Sequence, residues 1–253
     1  MSFLKDFTKE KFDIIIQGGQ SNCEGGGFGD VEKPYQPSDK VWYLNQDGTI
    51  SQATEIVVEN RILSLFQLQF ARRYIEDGRL EDGRSLLIVR TAIGGTGFCD
   101  KRWGLQDDLY LQMMEMTKTA LSLNSDNRIA AFLWHQGETD AGPSGFDVHT
   151  KNLSNLIKTV RGEFGNMPFL AGDFCQQWKN DNLEICAPVV DAIREVCKQT
   201  DNTSFVETDG LNSNSQEYGK EPEGNKDTIH FSRAALYLLG ERYYEAFVKL
   251  VNE

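Results

Sequence analysis

Short apolar runs that stop at glycines alternate along this chain with segments whose apolar residues recur at helical spacing. The first run, residues 12–16, leads into Gly18-Gly19, and a second run, residues 86–90, leads into the glycine turn at 94–97. Such runs are typical of buried strands, and the spaced apolar residues indicate helices. Strands that alternate with helices predict a mostly parallel sheet with helices on both faces.

Right-handed crossovers between these strands predict a three-layer α/β/α sandwich of the flavodoxin-like type, with a sheet of about five strands. A short extra strand is predicted at 40–44. The five core strands are expected at 12–16, 86–90, 129–134, 168–173 and 204–207. Helices are expected at 61–75, 107–123, 146–164, 183–198 and 232–251.

The chain is predicted to form one domain over residues 1–253, because it has no long Ser-, Pro- or Gly-rich linker and no internal repeat. Its net charge of −12 argues against a nucleic-acid partner and against an anionic membrane surface. The first residues lack the apolar core of a signal peptide, and no run reaches the roughly 18 apolar residues of a membrane span. These features favour a cytoplasmic location, and oligomeric state stays open.

Neither a metal nor another cofactor is expected. The five cysteines have irregular spacing without a Cys-x-x-Cys pair, so we interpret them as free thiols. A metal hydrolase could use His135, Glu138 and Asp140, but no His-Glu-x-x-His spacing is present. The glycine-rich loop at 25–29 also lacks the pattern of a nucleotide-binding loop.

Ser21 directly follows the first predicted strand, in the sequence Gly19-Gln20-Ser21-Asn22. A helix after this turn would raise the hydroxyl above the carboxyl edge of the sheet, where open α/β folds bind ligands. A serine nucleophile needs a histidine base that a third group orients. Of the three histidines, His230 has the best context, because Asp227 lies three residues before it.

The other two histidines are expected to be structural. His149 lies in a predicted surface helix without a surrounding motif, where it could also be solvated, and His135 ends a predicted strand. For the oxyanion of an acyl-transfer reaction, glycine turns can supply backbone N–H groups. We expect the N–H groups of Ser21 and of Gly95 or its neighbour Gly94 as donors, with the side-chain amide of Gln136 as a third.

Four sequence blocks in this order resemble the SGNH hydrolases, and within them the sialate O-acetylesterase-like enzymes and carbohydrate esterase family 6. The resemblance spans nearly the whole chain. One departure is Thr139, which stands where serine is usual in the third block. The blocks are Gly19-Gln20-Ser21-Asn22, Gly94-Gly95-Thr96, His135-Gln136-Gly137-Glu138-Thr139-Asp140 and Asp227-Thr228-Ile229-His230.

The resemblance implies a serine esterase that removes O-acetyl groups from a carbohydrate through an acetyl-serine intermediate. It assigns Ser21 as nucleophile, His230 as general base, Asp227 as its orienting acid and Gln136 as the oxyanion donor that replaces an asparagine. Glu138 is the alternative acid, although support of the loop is the favoured interpretation. The acetylated glycan stays open between acetylxylan, sialic acid and other sugars.

Four side chains in or near these blocks are also predicted to bind the substrate: Gln20, Asn22, Thr96 and Trp103. Trp103 would contribute to an aromatic wall against a sugar ring, for which core packing is the competing explanation. The acidic loop 212–227 also leaves the substrate preference open. Two alternatives remain: an inactive carbohydrate-binding protein on this fold, and a lipase or thioesterase of the same superfamily.

Overall fold

The computed structural model describes residues 5–58, 61–218 and 226–252, so that residues 219–225 of the acidic loop lie outside the described part. The strands are β1 Lys11–Gly19, β2 Val41–Leu44, β3 Ile50–Gln52, β4 Ile56–Val58, β5 Arg61–Leu63, β6 Arg84–Arg90, β7 Arg128–His135, β8 Phe169–Gly172 and β9 Thr203–Val206. The helices are α1 Ser21–Glu24, α2 Phe66–Glu76, α3 Asp108–Ser122, α4 Phe146–Phe164, α5 Gln176–Asp181, α6 Leu183–Gln199, α7 Asn214–Tyr218 and α8 Arg233–Asn252.

The central sheet has seven strands in the order β3-β2-β6-β1-β7-β8-β9, and β4 pairs with β5 in a separate hairpin. Within the central sheet, all neighbouring strands are parallel except β2 and β3, which are antiparallel. Helices α3, α4 and α6 pack on one face of the sheet, and α2 and α8 pack on the other. The predicted three-layer sandwich is thereby confirmed. Of the helices that the structure describes, none is long and apolar enough to cross a membrane.

Strand β1 lies at the centre of the sheet, between β6 and β7. Ile14 and Ile16 pack into the core on the side of α3, α4 and α6, whereas Ile15 packs on the side of α2 and α8. Every residue of β1 after Lys11 is buried. This explains the run of three isoleucines at 14–16, since a parallel sheet is covered on both faces.

The predicted number of about five strands is wrong, because two short strands extend one edge of the sheet. The segment predicted as an extra strand, at 40–44, forms β2 and pairs in parallel with β6. β3 then adds to β2 in antiparallel orientation. The three residues of β3 are partly or fully exposed, so they carry no apolar run by which a strand could be recognised.

The helix expected at 61–75 begins later than predicted, at Phe66. Residues Arg61–Leu63 pair instead with Ile56–Val58 as β5 and β4. Ile62 and Leu65 match helical spacing, but Leu65 has extended backbone angles and is the residue that precedes the helix. Backbone pairing with β4 therefore decides the conformation of a segment whose apolar pattern fits either structure.

Asp13 is a fully buried carboxylate near the amino end of β1, away from Ser21. Its Oδ1 accepts hydrogen bonds from Arg84 Nε and Arg128 Nε, both at 2.7 Å. Its Oδ2 accepts a hydrogen bond from the Tyr74 hydroxyl at 2.9 Å. Arg84 is also buried. The ion pair between Asp13 and Arg84 therefore contributes to stability only while both charges are present, because a single buried charge without its partner is destabilising.

We expect Asp13→Asn to lower the free energy of unfolding by about 3 kcal/mol, because it leaves the buried Arg84 guanidinium without its counter-charge. Urea denaturation followed by circular dichroism measures this change. Asp126→Asn is the matched control, since Asp126 pairs with Lys11 at the surface and its loss should leave the urea midpoint in place. Equal midpoints for the two variants would contradict the structural role of Asp13.

Candidate active site

Ser21 is placed at the carboxyl edge of the sheet by the close approach of β1 to β7. Gly19 has a φ angle of +135°, and a Cβ atom there would lie 2.1 Å from the carbonyl oxygen of His135. The next N–H, that of Gln20, donates to the same carbonyl at 3.0 Å. Only glycine fits this position without displacing β7. The strand therefore ends at Gly19, and Ser21 begins the short helix α1 with its side chain at the rim.

The structure brings Ser21, His230 and Asp227 together in one chain of hydrogen bonds. His230 Nε2 lies 2.9 Å from Ser21 Oγ, and His230 Nδ1 lies 2.9 Å from Asp227 Oδ1. The second carboxylate oxygen of Asp227 accepts a hydrogen bond from Asn214 Nδ2 at 2.9 Å. In this network Nδ1 carries the proton that Asp227 accepts, which leaves Nε2 free to accept the serine proton.

Electrostatics favours this arrangement. Burial alone would lower the pKa of His230, but the hydrogen bond to Asp227 and its negative charge outweigh burial and raise the pKa above its usual value. Burial alone would likewise raise the pKa of Asp227, but the hydrogen bonds from His230 and Asn214 lower it below its usual value. Asp227 is therefore ionised at neutral pH and stabilises a protonated His230.

Asn22 fixes the backbone on both sides of His230. Its Nδ2 donates to the carbonyl of Ile229 at 3.0 Å, and its Oδ1 accepts the N–H of Phe231 at 3.2 Å. The same Nδ2 donates to Glu138 Oε1 at 2.8 Å. Asn22 is almost completely buried, so it holds the histidine loop against the serine turn instead of facing a substrate as predicted.

Glu138 is directed to Asn22, and the structure gives it no hydrogen bond with His230. Burial raises the pKa of Glu138 above its usual value. This position matches the interpretation of Glu138 as support for the loop.

His135 lies in the core, with Nδ1 3.1 Å from the Tyr243 hydroxyl, and burial lowers the pKa of His135 to about 3. His135 is thus neutral, and it is not part of the hydrogen bonds that join Ser21, His230 and Asp227.

Two backbone N–H groups at the rim are open to an oxyanion. Those of Ser21 and Gly95 have no acceptor in the part of the chain that the structure describes. The N–H of Gly94 instead donates to Glu24 Oε2 at 2.7 Å. Gly95 has a φ angle of +69° in its turn, a conformation that glycine adopts without strain. Of the two glycines considered from the sequence, Gly95 is therefore the one with a free donor.

Gln136 lies below the rim and is completely buried. Its Nε2 donates to Asp140 Oδ2 at 3.0 Å. Gln136 was predicted to donate to an oxyanion, but in the structure its amide is directed to Asp140 instead. Gln20 differs, because its Oε1 accepts the N–H of Thr139 at 3.0 Å while its Nε2 has no acceptor among the described residues. Gln20 thus retains a free side-chain donor beside Ser21.

Thr96 and Trp103, both predicted to bind substrate, have structural positions. Thr96 is buried, and its hydroxyl donates to Ile93 O at 2.7 Å and accepts the indole N–H of Trp103 at 3.0 Å. Trp103 has 0% of its surface exposed and packs edge-on against Trp134. A side chain without exposed surface cannot stack on a sugar ring, so core packing is the correct explanation for Trp103.

Asp140 is a site residue whose role no sequence pattern revealed. Its two carboxylate oxygens accept the N–H groups of Cys99 at 2.8 Å and Phe98 at 3.1 Å, which holds the loop that contains Gly95. Burial by itself would raise its pKa, but the nearby His149 and these N–H groups lower the pKa of Asp140 to about 2. His149 is fully buried, which corrects its predicted surface position.

Comparison with known proteins identifies the family of the chain. The family model of carbohydrate esterases described as sialic acid-specific acetylesterases matches residues 11–249. A probable 9-O-acetyl-N-acetylneuraminic acid deacetylase of Escherichia coli strain K12 is 24% identical, over 40% of this chain and 39% of that protein. The match thus spans well under half of the relative's length.

Solved structures show the same fold. The crystal structure of NanS superposes with a TM-score of 0.81 at 18% identity, covering 96% of this chain and 98% of that one. A protein of Arabidopsis thaliana superposes with a TM-score of 0.71 at 21% identity, covering 94% and 98% of the two chains. The resemblance predicted from the four sequence blocks is confirmed: the chain belongs to the carbohydrate esterase family of sialic acid-specific acetylesterases.

Proposed function

We propose that this protein is a carbohydrate O-acetylesterase that works through an acetyl-serine intermediate. The observation that carries the proposal is the continuous hydrogen-bonded chain from Ser21 through His230 to Asp227, at 2.9 Å for each step. This series of hydrogen bonds lies at the carboxyl edge of a parallel sheet, where α/β enzymes bind their substrates. Family membership over residues 11–249 supports an acetylated sugar as the substrate.

In the first half of the reaction, Ser21 Oγ attacks the carbonyl carbon of the acetyl group while His230 Nε2 takes the hydroxyl proton. The N–H groups of Ser21 and Gly95 stabilise the negative oxygen of the tetrahedral intermediate, and the free Nε2 of Gln20 supplies a third donor. Protonated His230 then gives its proton to the leaving sugar oxygen. The carbon–oxygen bond to the sugar breaks, and Ser21 stays acetylated.

In the second half, a water molecule attacks the acetyl carbonyl while His230 takes one of its protons. Collapse of this intermediate breaks the bond to Ser21 Oγ, which regains a proton from His230, and acetate leaves. Asp227 stabilises the positive imidazole in both halves. Asn22 keeps His230 at hydrogen-bonding distance from Ser21 throughout, because it holds the backbone on both sides of the histidine.

A sialic acid is the substrate class that the comparisons support most directly. The family description names sialic acid, and the relative from Escherichia coli is named as a probable deacetylase of an acetylated neuraminic acid. Acetylxylan, an alternative from the sequence, has no comparable support in these two matches. The cytoplasmic location, the absence of a nucleic-acid partner and the organisation as one domain remain predictions from the sequence.

We expect Ser21→Ala and His230→Ala each to reduce hydrolysis of an aryl acetate by about 10³-fold or more, because the members of a catalytic triad act as a unit. Steady-state release of the aryl alcohol measures this loss, with circular dichroism as the check on folding. An organophosphate should label the wild-type protein at Ser21, as detected by mass spectrometry of peptides. Near-normal turnover in a folded Ser21→Ala variant would refute the mechanism, and an unlabelled wild-type serine would favour the inactive binding protein.

We expect Asp227→Asn to lower kcat by about 10³- to 10⁴-fold, because the imidazolium loses its counter-charge. Glu138→Gln is the matched comparison and should cost less than about tenfold, since glutamine keeps an oxygen that can accept the Asn22 amide. A larger loss for Glu138→Gln in folded protein would make Glu138 the acid.

The dependence of kcat/KM on pH tests the same assignment. His230 must be neutral to accept the serine proton, so the rate should fall as pH falls through its raised pKa, above the ordinary value of about 6.5. Asp227→Asn removes the interaction that raises this pKa and leaves burial, which lowers it. The acidic limb should therefore move to lower pH in Asp227→Asn and move less in Glu138→Gln. An acidic limb at the same pH in wild type and Asp227→Asn would contradict the assignment.

A further inference from the structure

A cavity of about 320 Å³ opens at the same rim as Ser21, on the side of β6 and β2. Arg90 is the last residue of β6, and Glu24 ends the helix that starts at Ser21. We call this cavity the Arg90 pocket. Its volume lies at the lower end of the range for small-molecule sites, roughly 300–1,000 Å³. The residues that line it are Glu24, Asn45, Gln46, Asp47, Arg90 and Ala92.

Arg90 has a positive charge that no side chain in the described part of the chain pairs. Its guanidinium carbon lies 4.9 Å from the centre of the Tyr43 ring, which fixes the side chain. Within residues 5–58, 61–218 and 226–252, the guanidinium takes part in no ion pair or hydrogen bond, and its Nε is shielded from solvent without a partner. An arginine held by an aromatic ring with its donors unused is suited to bind a carboxylate.

The carboxylates beside Arg90 are already engaged elsewhere. Glu24 Oε2 accepts the N–H of Gly94 at 2.7 Å, and Asp47 Oδ1 accepts the N–H and hydroxyl of Thr49 at 2.9 Å and 2.6 Å. Neither forms an ion pair with Arg90, although both line the same pocket. The second oxygen of Glu24 has no donor among the residues described and could accept a sugar hydroxyl. The pocket therefore offers a cationic donor beside acceptors for hydroxyl groups.

Only one glycine separates the pocket from the nucleophile. A Cβ atom at Gly94 would lie 3.1 Å from Glu24 Oε2 and 3.5 Å from the Cβ of Ser21. Ser21 and Glu24, which lines the pocket, therefore lie on either side of Gly94, so that a sugar held at Ser21 would extend across Gly94 toward the Arg90 pocket. The acetyl group would then face the N–H of Gly95, and the rest of the sugar would occupy the Arg90 pocket.

We infer that Arg90 binds the carboxylate of an acidic O-acetylated sugar and so selects a sialic acid over neutral acetylated glycans. The inference rests on the proposed esterase function for the orientation of the substrate. The assignment of the pocket itself rests on the guanidinium that no described group pairs and on the position of Gly94 between Glu24 and Ser21. Neutral sugars would leave the guanidinium desolvated without a counter-charge, which disfavours their binding.

Binding and turnover test the inference separately. Isothermal titration calorimetry should show that the wild-type protein binds N-acetylneuraminate more tightly than its carboxamide, which keeps the size but lacks the charge. Arg90→Gln should weaken binding of the acid by about 10- to 100-fold and remove the preference, since a hydrogen-bonded charge pair is lost. Arg79→Gln removes the same charge at a distant position, where Arg79 bonds Asn252, and should retain the preference.

Equal affinity for acid and carboxamide in the wild type, or a preserved preference in Arg90→Gln, would overturn the role of Arg90. A similar loss of affinity for both ligands would overturn it as well, because Arg90 would then bind neutral hydroxyls. Release of acetate from O-acetylated neuraminate and from an aryl acetate is measured in parallel. Absence of release from both substrates would refute the esterase function, while the calorimetric comparison would still decide the role of Arg90.

Discussion

The hydrogen bond between Ser21 Oγ and His230 Nε2 joins residues that are 209 positions apart in the chain. Such a contact carries the entropy cost of closing a very long loop, so other interactions must hold the two segments together. Asn22 does this through hydrogen bonds to the backbone on both sides of His230, and Glu138 fixes the Asn22 amide in turn. The position of His230 against Ser21 therefore depends on a buried amide that lies between the two segments.

The rim around this hydrogen bond is organised by carboxylates with different tasks. Asp227 orients His230 and stays ionised, whereas Glu138 is buried with a raised pKa and supports Asn22. Asp140 holds the loop of Gly95 through two backbone N–H groups, and Glu24 does so through Gly94. The N–H group of Gly95, which we propose as an oxyanion donor, thus lies in a loop that the protein itself holds in place, and such preorganisation is the condition for efficient electrostatic stabilisation.

Prediction from the sequence succeeded where one physical signal dominated. The central strands are buried on both faces, so their apolar runs were recognisable, and helix α4 was predicted at its observed bounds of Phe146–Phe164. It failed at β3 and β5, because short strands at an edge or in a hairpin are defined by backbone pairing and not by apolar content. Gln136 and Trp103 were misplaced for a related reason: polar and aromatic side chains occur both in cores and at sites.

The sequence by itself determined the layered α/β fold and the family, and it singled out Ser21 and His230 as candidate site residues, because each depends on local patterns or on ordered blocks of neighbouring residues. The tertiary structure alone decided which carboxylate meets His230, which donors at the rim have no acceptor among the described residues, and that none of those residues pairs with Arg90 in its pocket. Those outcomes depend on distances between segments that are far apart in the chain. Periodicity and motif spacing contain no information about such distances. The distances are set only when the folded sheet brings the carboxyl ends of its strands to one edge.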